Sequence, residues 1–196
     1  MMVLVSYENS GTVRDAFQQA GHDAFSCDLI PGGSPYHFVG DALEVIQDQG
    51  PWDLIIAHPP CTALASSGNA HYANSKERAA AVRYVLRLAK ICTEAAPRWA
   101  IENPVGVLSS QWRKPDQYIQ PHQFGHPESK KTGLWLHGLP KLIPTNVLEV
   151  PDRGYWENQT PSGQNKVGET TRRAALRSKT YEGIAQAMAE QWGEER

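Results

Sequence analysis

The cleanest buried strand in the chain runs straight into a proline pair and a cysteine: Asp53-Leu-Ile-Ile-Ala-His58-Pro59-Pro60-Cys61-Thr62. Each proline fixes its own φ, so the loop has few alternatives and the thiol is held at the strand's end. A thiolate is strongly nucleophilic even when only partly populated at neutral pH, which makes Cys61 a candidate nucleophile. A buried structural cysteine is the plainer alternative. A second strand-like run, Trp99-Ala-Ile-Glu102, ends in an acid followed by Asn103-Pro104-Val105-Gly106. A carboxyl there can give a proton to a ring nitrogen if partial burial raises its pKa; capping the next turn is its plainer role. Two strand-end groups of complementary chemistry make a stronger case together than either alone. His58, beside the proline pair, is the histidine singled out, as a group that faces substrate or supports one that does, or as packing.

The elements that position these groups follow a strand–helix rhythm. Met2 to Ser6 reads as a buried strand. Val13, Ala16, Phe17 and Ala20 share one face of a helix over 12–20, which Gly21 stops. Ala24–Leu29 is a second strand, Asp41–Gln49 a short helix, and Asp53–Ala57 a third strand. Ser75 or Asn74 caps a long helix to about Ala95, with Ala81, Val85, Leu86 and Leu88 on its apolar face. Trp99–Glu102 and Leu134–Leu136 are further strands, and a last helix runs from about Thr180 to Trp192. The alternation predicts a parallel sheet with helices on both faces. Residues 1–196 read as one domain, with 141–169, rich in Pro, Gly, Asn and Gln, as an extended loop or minimal subdomain. In open α/β sheets ligands bind beyond the C-terminal strand ends. That places Tyr7–Thr12, Asp28, Asp41, His58–Ala65 and Glu102–Gly106 at the candidate site.

At this point the chain resembles the cytosine C5 methyltransferase family. DLIIAHPPCT is similar to that family's D-L-(I/L)-I-G-G-P-P-C-Q loop, and Glu102-Asn103-Pro104 to its E-N-V motif. Tyr7-Glu-Asn-Ser-Gly11-Thr and Ala16-Phe-Gln-Gln-Ala-Gly21 look like its F-x-G-x-G-G loop and the helix that follows. Gly40-Asp41 matches its G-D pair, and Phe124-Gly-His-Pro-Glu128-Ser-Lys130-Lys131 its Y-G-V-P-Q-R-R-x-R segment. Arg177-Ser-Lys-Thr180-Tyr-Glu-Gly-Ile-Ala stands where the family has its final cofactor-side motif.

The resemblance implies a Rossmann-like, doubly wound, mostly parallel sheet of the S-adenosylmethionine-dependent methyltransferase type. It implies a covalent mechanism on cytosine, with Cys61 adding at C6, Glu102 at N3 and Lys130 beside the ring. S-adenosylmethionine contacts are implied for Tyr7, Gly11, Asp28, Asp41, Pro59 and Thr180. The expected substrate is DNA, double- or single-stranded, and in a duplex the cytosine must leave the stack. The chain departs from the family at Asn9 and Thr12, where glycines are usual, and at Thr62, where glutamine is usual. Lys130 supplies a point charge where the family has an arginine fork. The stretch between Lys131 and Arg177 is too short for the family's target-recognition domain, so low or short sequence selectivity, or a specificity partner protein, is expected. Two other readings stay open: C5 methylation of a free nucleotide such as dCMP, and a non-catalytic nucleic-acid or cofactor-binding relative.

Composition narrows the field further. The 196 residues are 40% hydrophobic and 20% charged, with 19 basic and 21 acidic side chains and a net charge of −2. No strongly basic coat exists, so any phosphate contacts fall to local cations: Arg113, Lys114, Lys130, Lys131, Arg172, Arg173, Arg177 and Lys179. Trp112, Trp135 and Trp156 are candidate base-stacking groups, Trp135 better suited to the core. Mean hydropathy is −0.49 with no apolar run near membrane-spanning length. Cys27, Cys61 and Cys92 are too scattered for a disulfide framework or zinc ribbon, and Cys27 and Cys92 read as core. With no basic, apolar leader at the N-terminus, a cytoplasmic setting is expected; the family resemblance and the small size imply that the cell is bacterial or phage-infected.

Overall fold

The computed structural model of the chain describes residues 1–162 and 180–194. Seven strands form one sheet: β1 (Met2–Ser6), β2 (Asp23–Asp28), β3 (His37–Val39), β4 (Leu54–Ala57), β5 (Trp99–Pro104), β6 (Gln117–Ile119) and β7 (Thr132–His137). Their spatial order is β3-β2-β1-β4-β5-β7-β6. The first five run parallel, whereas β7 is antiparallel to both β5 and β6. Among the described residues the helices are α1 (Thr12–Gln19), α2 (Ala42–Asp48), α3 (Asn69–Tyr72), α4 (Lys76–Ala95), α5 (Leu108–Gln111) and α6 (Glu182–Trp192).

Strand alternation explains why two cores form. Val3 and Val5 of β1, with Leu54 and Ile56 of β4, face α1 and α6 through Val13, Phe17, Met188 and Trp192. Leu4 and Ile55 point the other way, toward Leu43 and Ile46 of α2 and Val85 and Leu88 of α4. Strands buried on both faces must be apolar throughout, which is why they read as runs without alternation. The order of the first five strands places the chain reversal between β1 and β4, the point at which doubly wound sheets open a ligand crevice.

Helix starts are set by side chains at the same edge. Asp41 Oδ1 accepts from Leu43 N at 2.7 Å and caps α2. Ser75 Oγ accepts from Arg78 N at 3.0 Å and caps α4. Gly21 follows α1 with φ +87°, a left-handed stop of the kind glycine supplies most cheaply.

The pattern missed β3 and β6, which are three residues each and carry no apolar alternation. It found β7 but not its direction. The chain between β5 and β7 makes only α5, β6 and a short turn instead of a full crossover helix, so β7 enters the sheet from the opposite end. Residues 141–162 hold no helix or strand. Among the described residues no helix is long and apolar enough to cross a membrane.

Candidate functional site

The loops that follow β4 and β5 are welded into one unit. Asn103 is buried, and its Nδ2 donates to Pro59 O at 3.1 Å, tying the proline pair to the end of β5. Beyond Cys61 the chain turns, with Leu64 N and Ala65 N donating to Cys61 O at 3.0 and 2.9 Å. It then pairs with the β5 loop: Ser66 N donates to Val105 O at 2.9 Å and Val107 N to Leu64 O at 3.0 Å. Gly106 permits this approach, because a Cβ there would sit 2.0 Å from Leu64 O. From the other side the buried Arg78 guanidinium donates to Ala63 O at 2.7 Å, Asn69 Oδ1 at 2.8 Å and Ala65 O at 3.4 Å. Cys61 sits half-buried at the head of this unit, and none of the three cysteines forms a disulfide. Cys27 and Cys92 are fully buried in the core, where loss of hydration pushes both thiols up to about 12.

Glu102 meets two cations. His58 Nδ1 lies 2.5 Å from Glu102 Oε2, with both side chains largely buried. Burial alone would raise the carboxyl. The His58 hydrogen bond and charge, the Lys130 charge and a Thr132 hydrogen bond outweigh it and hold Glu102 down at about 2. Burial alone would likewise lower His58, yet the hydrogen bond and charge of Glu102, then the charge of Glu8, lift it above the usual imidazole value. Sequence leads one to expect a carboxyl raised by burial; here its neighbours lower Glu102 instead, while the same contact raises His58. Lys130 reaches this place because β7 is antiparallel: Thr132 pairs with Pro104, so the residues before β7 lie where β5 ends. The Lys130 segment is further anchored to α6 through Glu128, which accepts from Tyr181 Oη at 2.5 Å, and through Gly183 N, which donates to His126 Nε2 at 3.0 Å. Thr180, just before that helix, is buried.

The expected cofactor side is built differently. Tyr7, in the left-handed region at φ 62°, shares a 2.8 Å hydrogen bond with Tyr84 Oη of α4 and packs edge-on against that ring. Asp28 Oδ1 accepts from Ile30 N at 3.0 Å in a local turn, and Leu29 and Ile30 beside it are 74% and 61% exposed. Asp41 is exposed as well as capping. Gly11 opens α1 at φ 74°, but the helix N-terminus is filled by a residue the motif comparison passed over. Buried Glu8 accepts from Val13 N at 2.7 Å and Arg14 N at 3.2 Å, matching a carboxylate to the helix dipole's positive end. An acid a few residues ahead of the helix was the available signal. The structure thus brings Lys130 to Glu102, ties Pro59 to the end of β5 through Asn103 with Cys61 two residues further along that loop, and sets Tyr7, Gly11, Asp28 and Asp41 around the neighbouring strand ends.

The tryptophans are not free for bases. Trp112 stacks between Trp99 and Trp135 at centroid distances of 6.5 and 5.9 Å, His137 extends the stack on Trp99, and Trp156 is buried against His122. Their apolar area is spent on the fold. Arg113 is engaged by Asp116 at 2.7 Å and lies over Trp112, while Lys131 lies 4.6 Å from the Tyr118 ring centre. Lys114 is exposed. Arg172, Arg173, Arg177 and Lys179 lie outside the described residues.

No protein-family model and no curated protein matches the chain. Among solved structures it is similar to the S. pombe Dnmt2 methyltransferase at 16% identity and a TM-score of 0.50, over 72% of this chain and 51% of that one. It is also similar to the Entamoeba histolytica methyltransferase EhMeth at 13% identity and a TM-score of 0.48, over 76% of this chain and 57% of that one. The chain thus spans about half the length of the S. pombe protein. With the strand order, that likeness shows the fold alone: an α/β, Rossmann-like, doubly wound and mostly parallel sheet.

Proposed function

We propose that the chain methylates C5 of cytosine in DNA, using S-adenosylmethionine and a covalent Cys61 adduct at C6, with low or short sequence selectivity. One observation carries the reading: a cysteine loop and an acid from two different strands are locked together at the ligand edge by Asn103, Gly106 and Arg78. Nucleophilic addition needs a thiol held in register with the group that balances charge on the ring.

In this reading the Cys61 thiolate adds to C6, and Glu102 stabilises the charge that builds at N3 as the bond forms. Lys130 adds a positive charge at the same place. S-adenosylmethionine, when bound, supplies an electrophilic methyl group for C5. Loss of the C5 proton and departure of Cys61 then restore the ring. The residues at the ends of β2 and β3 fit that cofactor: Asp28 offers a carboxylate to ribose hydroxyls, Asp41 one to an amine, and exposed Leu29 and Ile30 offer apolar surface to a purine. Target selection falls to this compact chain or to a partner protein. A free nucleotide such as dCMP is the second reading, favoured by the net charge of −2, since a small substrate needs a pocket and not a basic groove.

Labelled S-adenosylmethionine offered with duplex DNA, single-stranded DNA and dCMP in parallel, followed by digestion to nucleosides and mass spectrometry, tests the proposal. Cys61-dependent 5-methylcytosine from DNA is the expected product. Label on dCMP alone moves the enzyme to nucleotide chemistry, and no product on any substrate removes the catalytic reading.

A further inference from the structure

His58 has an arrangement that a packing residue does not need. Its Nδ1 lies 2.5 Å from Glu102 Oε2, while Nε2 is buried and has no hydrogen-bond partner among the described residues. The side chain is 8% exposed. A proton on this ring therefore has one outlet, through Nδ1 to Glu102. The charged groups around it are Glu102 on β5, Glu8 on the loop after β1 and Lys130 just before β7. Cys61 lies further along the same loop as His58.

A single proton leaves the pair neutral overall, whether as imidazolium with carboxylate or as imidazole with carboxylic acid. Moving that proton within the pair creates no new net charge in a buried place, where an isolated charge is costly. The unsatisfied Nε2–H pushes the same way. A donor without an acceptor costs more on a cation than on a neutral ring, so this imidazolium yields its Nδ1 proton more readily than a fully hydrogen-bonded one.

We infer that His58 is a positioning residue that stores the proton which Glu102 delivers to N3 of the cytosine ring; the inference rests on the methylation reading above. As Cys61 Sγ bonds to C6, the C5=C6 electron pair becomes C4=C5 and the C4=N3 pair takes up a proton at N3. That proton leaves Nδ1, protonates the Glu102 carboxyl and is donated from it. When Sγ later leaves C6 the proton returns from N3 to the pair, so His58 is regenerated. The imidazole must be protonated at the start, so turnover falls as pH rises through the His58 value, which Glu102 holds above the usual one.

Two measurements on the full chain test this. The first follows His58 by nitrogen NMR of labelled imidazole from about pH 5 to 9, in the wild type and in Glu102→Gln. The wild-type ring is expected to titrate above about 6.5, and the variant's to drop toward or below that value. The second compares kcat against pH for the wild type and His58→Asn, whose amide still donates to Glu102 but has no proton to pass. Expected are a loss of about 10²-fold in kcat, an unchanged KM for DNA and disappearance of the alkaline limb. His58→Gln serves if the first variant fails to fold, both being checked by melting and cofactor titration. Wild-type titration of His58 at or below about 6.5 overturns the stored proton whatever the activity. Titration above that value, with His58→Asn keeping wild-type kcat and its alkaline limb, overturns delivery and leaves the methylation reading standing. No product from the wild type on any substrate overturns that reading and delivery with it, while the NMR arm still reports the charged pair.

Discussion

The two sides of the sheet's ligand edge are organised on opposite principles. After β4 and β5, the chain closes on itself: backbone pairs join the loops, a buried arginine binds one of them from below, and His58, Glu102 and Asn103 are largely or fully buried. After β2 and β3, the carboxylates accept from backbone close by, Asp28 from Ile30 N and Asp41 from Leu43 N. One side chain, Asn9, ties the β2 loop to the β1 loop by donating to Ile30 O and Pro31 O, and Leu29, Ile30, Tyr36 and Val39 stay exposed. The difference matches what each side is proposed to do. Covalent chemistry loses steeply when reacting atoms are misplaced by an ångström, so its groups are over-determined. A cleft that admits and releases a cofactor gains from groups left open to solvent.

Substitutions can break this contrast, and the largest effect comes from the reacting atom. Cys61→Ala is expected to abolish turnover while cofactor affinity, measured by calorimetry, stays within a few-fold; retained turnover would end the covalent mechanism. Gly106→Ala comes next, because its Cβ would overlap Leu64 O at 2.0 Å. Forcing the two loops apart should cost about 3 kcal/mol and lower Tm by about 6–12 °C, with activity lost beyond what stability explains. An unchanged melting curve would mean that the weld is not rigid.

On the open side the damage should stay local. Asp28→Ala is expected to weaken S-adenosylmethionine binding about tenfold, with Cys61 reactivity toward an alkylating probe unchanged. Equal affinity in that variant would remove Asp28 from the cleft. Asp41→Ala should give the smallest change, about 1 kcal/mol from the lost α2 cap, read as a Tm lower by about 2–4 °C. A loss of cofactor affinity larger than the stability change would sharpen the contrast by giving Asp41 a ligand role beyond the cap.

The same contrast decides what could be read from the sequence. Strands β1, β2, β4 and β5 announce themselves because burial on both faces demands apolar runs, and α1, α2, α4 and α6 because one-sided burial imposes helical spacing. The ends of those elements then put Cys61 and Glu102 on one edge. What escaped depends on partners distant in sequence. Glu102 at the end of a strand carries no sign of which way its pKa is shifted; His58, 2.5 Å away, with Lys130 and Thr132, lowers it against burial. Arg78 looks like any charged residue in a helix's first turn until the loop it holds is in place. β3 and β6 are too short to carry a period, and the direction of β7 depends on a connection whose length does not reveal its path.

The stack of Trp99, Trp112 and Trp135 has a consequence for light. Three indoles lie within 17° of parallel in neighbouring pairs, at centroid distances of 6.5 and 5.9 Å. At that spacing their electronic transitions couple, so the near-ultraviolet circular dichroism of the folded chain carries a joint signal that isolated indoles lack. Because Trp99 belongs to β5 and Trp135 to β7, that signal depends on the pairing of these two strands. It supplies a built-in optical gauge of the scaffold, one that a variant altered only in its chemistry leaves intact and a variant altered in its framework does not.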